Sequence, residues 1–175
     1  MKLTKTIYLC GFMGCGKSTL GRFAARKLGY PIVDTDYIIT KKAGCSINEI
    51  FSEKGEEYFR KLETKVIRSL SYQKPRVVSL GGGSVLKDKN VKYMKRSGLI
   101  VFLDTPFEVV YERVRRNNRR PIARRLDKEG LRELFEERRK RYQKVADIII
   151  ASEYNVRDTY NKLMSELRYA GLAEE

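Results

Sequence analysis

The residues with the clearest capacity for chemistry form the glycine-rich run GFMGCGKS, from Gly11 to Ser18. This run fits the P-loop pattern, follows an apolar strand candidate and opens a helical segment, which is the context that the motif requires. Its backbone N–H groups can point at phosphate oxygens, Lys17 adds a mobile positive charge, and the Ser18 hydroxyl can ligate Mg²⁺. The motif predicts binding of Mg-ATP, with phosphate contacts from Gly14, Cys15, Gly16, Lys17, Ser18 and Thr19. A glycine-rich turn without a ligand is the alternative interpretation.

Two carboxylates, Asp34 and Asp36, end the second strand candidate in the sequence PIVDTDY. Side chains two apart on an extended chain share a face, so both can look into one cleft beside the P-loop. One carboxylate can hold Mg²⁺ through water, and the other can bind a substrate hydroxyl or accept its proton. The alternative is that these aspartates cap a helix over Tyr37–Ala43.

The sequence LGGGS places Gly81, Gly82 and Gly83 at the end of another strand candidate. Backbone without side chains allows a ligand to approach closely there. A flexible turn without ligand contact is the alternative. This strand lacks the aspartate that often follows an apolar strand in P-loop proteins, so Asp34 is predicted to supply the carboxylate of the metal site.

The composition is that of one globular domain, with 175 residues, 42% of them hydrophobic and 34% charged. No apolar stretch approaches the roughly 18 residues of a membrane span, and no export signal is recognised, so we expect no membrane partner. The three cysteines match no zinc spacing, which predicts reduced thiols in the cytoplasm. The chain contains no histidine, so acid–base roles fall to Asp, Glu, Lys or Cys.

The net charge of +15 suits an anionic ligand, nucleic acid or membrane, and its distribution helps to choose between them. Seven arginines and no acid lie between Arg113 and Arg125. Elsewhere, basic residues mix with acids as on a solvated helix face. The local concentration predicts a loop that handles phosphate, with an exposed basic loop for RNA as the alternative.

Apolar runs alternate with helical patterns along the chain, which predicts a parallel sheet covered by helices. The strand candidates are Thr6–Cys10, Ile32–Asp34, Arg76–Leu80, Leu99–Asp104 and Asp147–Ala151, all expected to be buried on both faces. The helix candidates are Lys17–Leu28, Ile47–Lys54, Glu56–Ser71, Asn90–Arg96, Pro106–Arg116, Leu131–Val145 and Val156–Tyr169. Capping boxes are predicted at Ser46 with Glu49, and at Thr105 with Pro106 and Glu108.

Together these motifs resemble the shikimate kinase family, within the nucleoside-monophosphate-kinase-like branch of P-loop proteins. The family's order and spacing are matched over nearly the whole chain by GFMGCGKSTLGR, DTD, SINEIFSEKGEEYFRKLE, SLGGGS and NNRRP. The resemblance implies a three-layer α-β-α fold with a five-stranded parallel sheet, in a single kinase domain spanning 1–175. Within it we expect a substrate-binding helical segment at about 35–62 and an arginine-rich lid at about 113–127.

The resemblance also implies the reaction, which is Mg-ATP-dependent phosphorylation of the 3-hydroxyl of shikimate on the route to chorismate and the aromatic amino acids. Asp36 and Gly82 would contact the hydroxyls of shikimate, and the neighbouring Gly81 and Gly83 complete the predicted substrate-binding turn. Arg60 and Arg138 would clamp the carboxylate, which suits arginine because its planar fork can give two parallel hydrogen bonds. Arg138 is chosen over Arg139 and Arg141 by its register with Tyr142.

In the lid, the resemblance implies that Arg120 reaches over the bound phosphates and that Arg113 lies against adenine. The sequence RPIA departs here from the family's usual RPLL. The predicted catalytic residues are Lys17 and Arg120, which stabilise the transferring group, and Asp34, as water-mediated metal holder or base. We expect a monomer with shikimate and ATP as its ligands.

Two rival functions are considered. A kinase for gluconate or a nucleoside monophosphate also uses a P-loop and an arginine lid. A basic, nucleotide-dependent RNA-binding module would explain the charge, but the chain has no aromatic RNA-recognition signature. We therefore expect no nucleic-acid partner.

Overall fold

Five strands form one sheet in the computed structural model, which describes residues 3–116, 126–152 and 155–171. The strands are β1 (Thr6–Cys10), β2 (Ile32–Asp34), β3 (Val77–Ser79), β4 (Gly98–Asp104) and β5 (Ile148–Ala151). Neighbouring strands all run parallel, in the spatial order β2-β3-β1-β4-β5. The predicted five-stranded parallel sheet is therefore confirmed, and β1 lies at its centre.

The helices in the described part of the chain are α1 (Lys17–Leu28), α2 (Thr35–Ala43), α3 (Ile47–Glu49), α4 (Gly55–Leu70), α5 (Asp88–Ser97), α6 (Phe107–Arg115), α7 (Lys128–Val145) and α8 (Val156–Tyr169). A π turn at Ile50–Lys54 follows α3, and a 3₁₀ turn at Ser84–Leu86 precedes α5. α1 and α2 both end at a left-handed glycine, Gly29 and Gly44, as helices commonly do. Of these described helices, none is both long enough and apolar enough to cross a membrane.

Helices cover both faces of the sheet, as the side chains of β1 demonstrate. Successive residues of a strand point to opposite faces. The Tyr8 hydroxyl lies 2.8 Å from the Ser97 hydroxyl of α5, whereas a side-chain carbon placed on Gly21 of α1 would lie 3.3 Å from Leu9. Because Tyr8 and Leu9 are adjacent, α5 and α1 pack on opposite faces. This is the predicted three-layer α-β-α arrangement.

The two predicted capping boxes have different outcomes. The Ser46 hydroxyl accepts from the Glu49 N–H at 3.2 Å, and the Glu49 carboxylate accepts from the Ser46 N–H at 2.7 Å, so the first box is confirmed. The second is wrong, because Pro106 precedes α6 without a side-chain cap. The buried Thr105 hydroxyl instead donates to the carbonyl of Cys15 at 3.2 Å, since it faces the P-loop and not the helix end.

The expected burial on both faces is correct for β1, β3 and most of β4, in which Leu99 and Asp104 are half-buried, and it is wrong for the edge strands. Every residue of β1 and β3 is buried. β2 and β5 form the two edges, where Ile32 is 38% exposed and Ile149 is 49% exposed. An edge strand has a neighbour on one side only, so the helices cover it less completely. Short β-branched runs carry no local signal that separates an edge from a centre.

Candidate active site

The P-loop joins β1 to α1 in a shape that requires its glycines. Gly14 and Gly16 have φ angles of 80° and 101°, in the left-handed region that residues with side chains rarely adopt. A side-chain carbon at Gly14 would also lie 3.0 Å from Val114 of α6. The loop is therefore packed tightly against α6, and the first turn of α1 lines a cavity.

Lys17 is held in place, although the sequence predicted a mobile charge. Its side chain is nearly buried, and Nζ donates to the carbonyl oxygens of Gly11 and Phe12 at 2.8 Å each. The Cys15 sulfur lies 3.5 Å from the same nitrogen. Burying an ammonium group is costly unless polar partners replace its hydration, and these carbonyls do so. The result is a fixed positive charge in the cavity wall.

Three oxygen-bearing side chains meet beside the first turn of α1. The Ser18 hydroxyl donates to Asp34 Oδ2 at 3.3 Å and lies 3.2 Å from Ser79 Oγ. The other carboxylate oxygen, Asp34 Oδ1, caps α2 by accepting from the backbone N–H groups of Asp36 at 3.0 Å and Tyr37 at 3.3 Å. Asp34 therefore caps a helix, as the alternative interpretation predicted. Its other carboxylate oxygen still faces Ser18.

Ser79 was missed by the sequence analysis, which considered only a carboxylate for this position. It is the last residue of β3, the strand paired with β1. The carboxyl ends of neighbouring parallel strands meet at one edge of the sheet, so any polar residue ending β3 lies close to the P-loop. The strand order, which the sequence did not reveal, was needed to recognise it.

Asp36 lies in the first turn of α2 and not on an extended strand, so the predicted reason for its alignment with Asp34 is wrong. The chain becomes helical at Thr35 because Asp34 caps the helix. Both carboxylates nevertheless line the same cavity. Asp36 packs on the glycine turn, which we define as Gly81–Gly83. A side-chain carbon at Gly81 would lie 2.6 Å from Asp36 Oδ1, so a larger residue there would displace the Asp36 carboxylate.

Arg60 reaches the glycine turn from α4. A side-chain carbon at Gly83 would lie 2.7 Å from Arg60 Cζ, so the guanidinium rests on the Gly83 backbone. The buried Glu63 accepts from Arg60 Nη1 at 2.9 Å, and Glu56 accepts from Arg60 Nη2 at 3.1 Å. Burial opposes the charge, yet the two carboxylates raise the pKa of Arg60 above its ordinary value. The guanidinium is therefore charged and oriented at the turn.

Glu63 is a second residue that the sequence analysis missed. Its remaining oxygen accepts from the Ser84 hydroxyl at 2.7 Å, so the carboxylate joins α4 to the end of the glycine turn. An acid three residues after Arg60 on a helix is indistinguishable in sequence from an ordinary surface pair. What sets it apart is complete burial, which only the packing of α4 decides.

α7 approaches the glycine turn from another direction. The Tyr142 hydroxyl donates to the Gly82 carbonyl at 2.7 Å, and Arg138 Nη1 lies 3.5 Å from the same oxygen. Burial raises the pKa of Tyr142, which keeps its hydroxyl a donor. The neighbouring Arg139 and Arg141 pair with acidic side chains elsewhere. The structure thus places Arg138 at the predicted substrate-binding turn.

A single cavity of about 510 Å³ connects most of these groups. The predicted residues in its lining are Gly14, Cys15, Gly16, Lys17, Ser18, Thr19, Asp34, Asp36, Gly81, Gly82 and Arg113. Gly83, the last residue of the glycine turn, lies outside that lining, and so do Arg60 and Arg138, which contact the turn. Residues 117–125 of the predicted lid, which include Arg120, lie outside the described residues.

The cavity extends to both sides of the P-loop, because β2 and β3 lie on one side of β1 and β5 lies on the other. The β2–β3 side holds the aspartates and the glycine turn. On the β5 side, Arg113 Nη1 donates to the Gly14 carbonyl at 3.2 Å. The start of α8 and the residue after β5 complete that side with Ser152, Asn155, Val156 and Thr159, which the sequence analysis did not identify.

A parallel sheet whose central strand ends in a P-loop, with aspartates and arginines gathered beside it, defines a P-loop kinase of the nucleoside-monophosphate-kinase-like class. The sequence model of the shikimate kinase family matches residues 13–168. The chain therefore belongs to the shikimate kinase family and is an ATP-dependent kinase.

Individual relatives agree with this assignment. The shikimate kinase of Persephonella marina is 47% identical over 149 residues, covering 85% of this chain and 90% of that protein. A structure of the shikimate kinase from Acinetobacter baumannii in complex with shikimate has a TM-score of 0.89 and 34% identity, covering 97% of this chain and 96% of that one. A gluconokinase from Sinorhizobium meliloti has a TM-score of 0.61 but 16% identity, which indicates a shared fold alone.

Proposed function

We propose that this protein transfers the terminal phosphoryl group of ATP to the 3-hydroxyl of shikimate, giving ADP and shikimate 3-phosphate. The observation that carries the proposal is the single cavity that Lys17 shares with Asp36 and the glycine turn, with Arg60 and Arg138 against the same turn. A P-loop beside two guanidinium groups suits an acceptor that bears a carboxylate. Membership of the shikimate kinase family supports the choice of acceptor.

The acceptor is proposed to bind at the glycine turn. Arg60 and Arg138 would bind its carboxylate, because planar guanidinium groups can each give paired hydrogen bonds. Glu63 holds Arg60 in place from the buried side. Asp36 would bind a hydroxyl, and Gly82 would allow close approach of the ring because its backbone carries no side chain.

Catalysis is proposed to rest on positioning and electrostatics. Lys17 would stabilise the charge that develops on the transferring group, and Arg120 would add a second positive charge when the lid closes. Asp34 would lie near the attacking hydroxyl, where it either holds the metal through water or takes the proton. On the β5 side, Arg113 would lie against adenine.

Mg²⁺ is the metal that the donor set favours. The hydroxyls of Ser18 and Ser79 and the carboxylate of Asp34 offer hard oxygen donors within 3.3 Å of Ser18 Oγ. No cluster of three or more Cys, Asp or Glu side chains forms a closed metal cage in the described residues. Mg²⁺ usually keeps several waters and phosphate oxygens as ligands and takes only one or two from the protein. Ser18 would bind it directly and Asp34 through water, and the bound ion would offset the negative charge of the phosphates.

The decisive experiment is ATP consumption by the purified protein with shikimate, gluconate, AMP or CMP as the acceptor. We expect consumption that depends on shikimate and on Mg²⁺. Phosphorylation of another acceptor but not of shikimate would refute the proposed acceptor. RNA that binds tightly, with strong salt dependence, and displaces ATP would instead support the nucleic-acid alternative.

Arg60→Ala tests the acceptor site separately. We expect a higher KM for shikimate and a nearly unchanged KM for ATP, because Arg60 contacts the glycine turn and not the P-loop. Lys61→Ala is the matched control, since it removes the same charge from the next residue, which is largely exposed. Equal loss of ATP affinity in Arg60→Ala would show that this residue is misassigned.

We further propose that the protein acts as a cytoplasmic monomer without membrane or nucleic-acid partners. In support of the cytoplasm, Cys10, Cys15 and Cys45 are free thiols, as is usual for proteins in a reducing compartment. Light scattering during gel filtration tests the monomer directly. A stable dimer at assay concentration would overturn it.

A further inference from the structure

The threonine that follows β4 is bonded to the P-loop. The hydroxyl of Thr105, which is 2% exposed, donates to the Cys15 carbonyl at 3.2 Å. The P-loop also lies close to this end of β4, since a side-chain carbon at Gly11 would lie 2.9 Å from the Leu103 carbonyl oxygen. In a trans peptide the C=O and N–H groups point in opposite directions. The Cys15 carbonyl and the Gly16 N–H belong to the same peptide group. Holding the carbonyl toward Thr105 therefore directs the Gly16 N–H away from Thr105.

The last residue of β4 is bonded to α7. Arg139 gives a bidentate pair to Asp104, with Nε to Oδ1 at 2.9 Å and Nη2 to Oδ2 at 2.8 Å. Successive residues of a helix are about 100° apart, so Arg139 lies roughly a quarter turn from Arg138. A bidentate pair in that position adds to the bond from the buried Tyr142 to Gly82 in limiting rotation of α7 about its axis. The rotation of α7 decides whether Arg138 faces the glycine turn.

Building on the proposed function, we propose that Asp104 and Thr105 are positioning residues that align the two halves of the active site. Thr105 orients the phosphate-binding backbone of the P-loop, and Asp104, through Arg139, orients Arg138 toward the acceptor. Neither residue needs to touch a substrate. Both residues lie at the C-terminal end of β4. The same strand therefore fixes the position of the P-loop, through Thr105, and of α7, through Asp104.

The first test compares Thr105→Val with Thr105→Ser. Valine keeps the shape of the side chain but cannot donate, so we expect the KM for ATP and the Kd for ADP to rise about five- to tenfold. Serine keeps the hydroxyl and should return both values to within about twofold of the wild type. The KM for shikimate should change less than about twofold in either variant. Equal effects of valine and serine, or an unchanged Kd for ADP in the valine variant, would overturn the role of Thr105.

The second test uses Asp104→Asn and Arg139→Gln, singly and together. Each should raise the KM and Kd for shikimate about threefold, as expected for a partly exposed ion pair, and leave ADP binding unchanged. The double variant should be no worse than either single one, because both break the same pair. Lys140→Gln is the control, since it removes a charge from an exposed position on the same helix. Additive losses, or equal losses for ADP and shikimate, would overturn the role of Asp104.

These tests separate failure of this proposal from failure of the proposed function. If the wild type does not bind or phosphorylate shikimate, the proposed function fails, while the role of Thr105 is still measured by ADP binding. If the wild type is active and the variants keep wild-type constants, the positioning roles alone are refuted. Thermal unfolding of each variant identifies any loss caused by misfolding.

Discussion

Replacing Gly83 by alanine tests whether the glycine turn shapes the acceptor site. Gly83 has φ −95° and ψ −3°, a conformation that alanine can adopt, so the backbone should tolerate the change. The new carbon would lie 2.7 Å from Arg60 Cζ. Ordinary carbon contacts are about 3.5–4.0 Å, so the guanidinium must move by about 1 Å.

The expected magnitude follows from that displacement. Arg60 is a flexible side chain and can move without unfolding the protein, so the free energy of unfolding should change by less than about 1 kcal/mol. The alignment of Arg60 with a bound carboxylate is far more sensitive to this displacement than the free energy of unfolding is. A misplacement of about 1 Å in a group that positions the substrate can lower the reaction rate by up to about 100-fold. We expect the KM for shikimate to rise between about tenfold and 100-fold, with the KM for ATP within about twofold.

The assay is a double-mutant cycle in steady-state kinetics. Gly83→Ala should have almost no further effect in an Arg60→Ala background, because the group it displaces is already absent. Two results would refute the reasoning. One is an unchanged KM for shikimate in the single variant, and the other is an equally large loss with and without Arg60.

Three further predictions concern buried groups. Lys17→Ala should lower kcat at least about 100-fold while circular dichroism shows a retained fold, because it removes the fixed charge of the P-loop. Glu63→Gln should lower the free energy of urea unfolding by about 2 kcal/mol and raise the KM for shikimate, since Arg60 loses a charged acceptor. Burial raises the pKa of Tyr142 above its ordinary 10.0, so the unfolded chain loses this proton first and stability should fall as the pH rises past that value. Urea unfolding of Tyr142→Phe at pH 8 and pH 11 should show a smaller decline than the wild type, and an equal decline would contradict the assignment.

Local rules in the sequence were sufficient to predict the five strands, most of the helices and the phosphate-binding loop, although the predicted helix Ile47–Lys54 is a short helix followed by a π turn. The bounds of β1 and α1 agree with the structure, because an apolar run, a P-loop and a helix start each carry a short-range signal. Ser46 with Glu49 forms the predicted capping box for the same reason, since all of its contacts lie within one helical turn. The kinase family also follows from motifs read in order along the chain.

Tertiary packing decided which side chains meet. Thr105 carries a helix-cap signal, yet its hydroxyl is used by a loop 90 residues away. Glu63 looks like a surface partner of Arg60 until α4 is buried against the glycine turn. Contacts between distant segments depend on the strand order and on which neighbours each helix packs against. Hydrophobic periodicity can mark the buried face of a helix, but it does not show which residues that face meets. The sequence by itself therefore determined the local elements and the chemistry of the P-loop, and only the folded chain decided how the acceptor side is assembled around it.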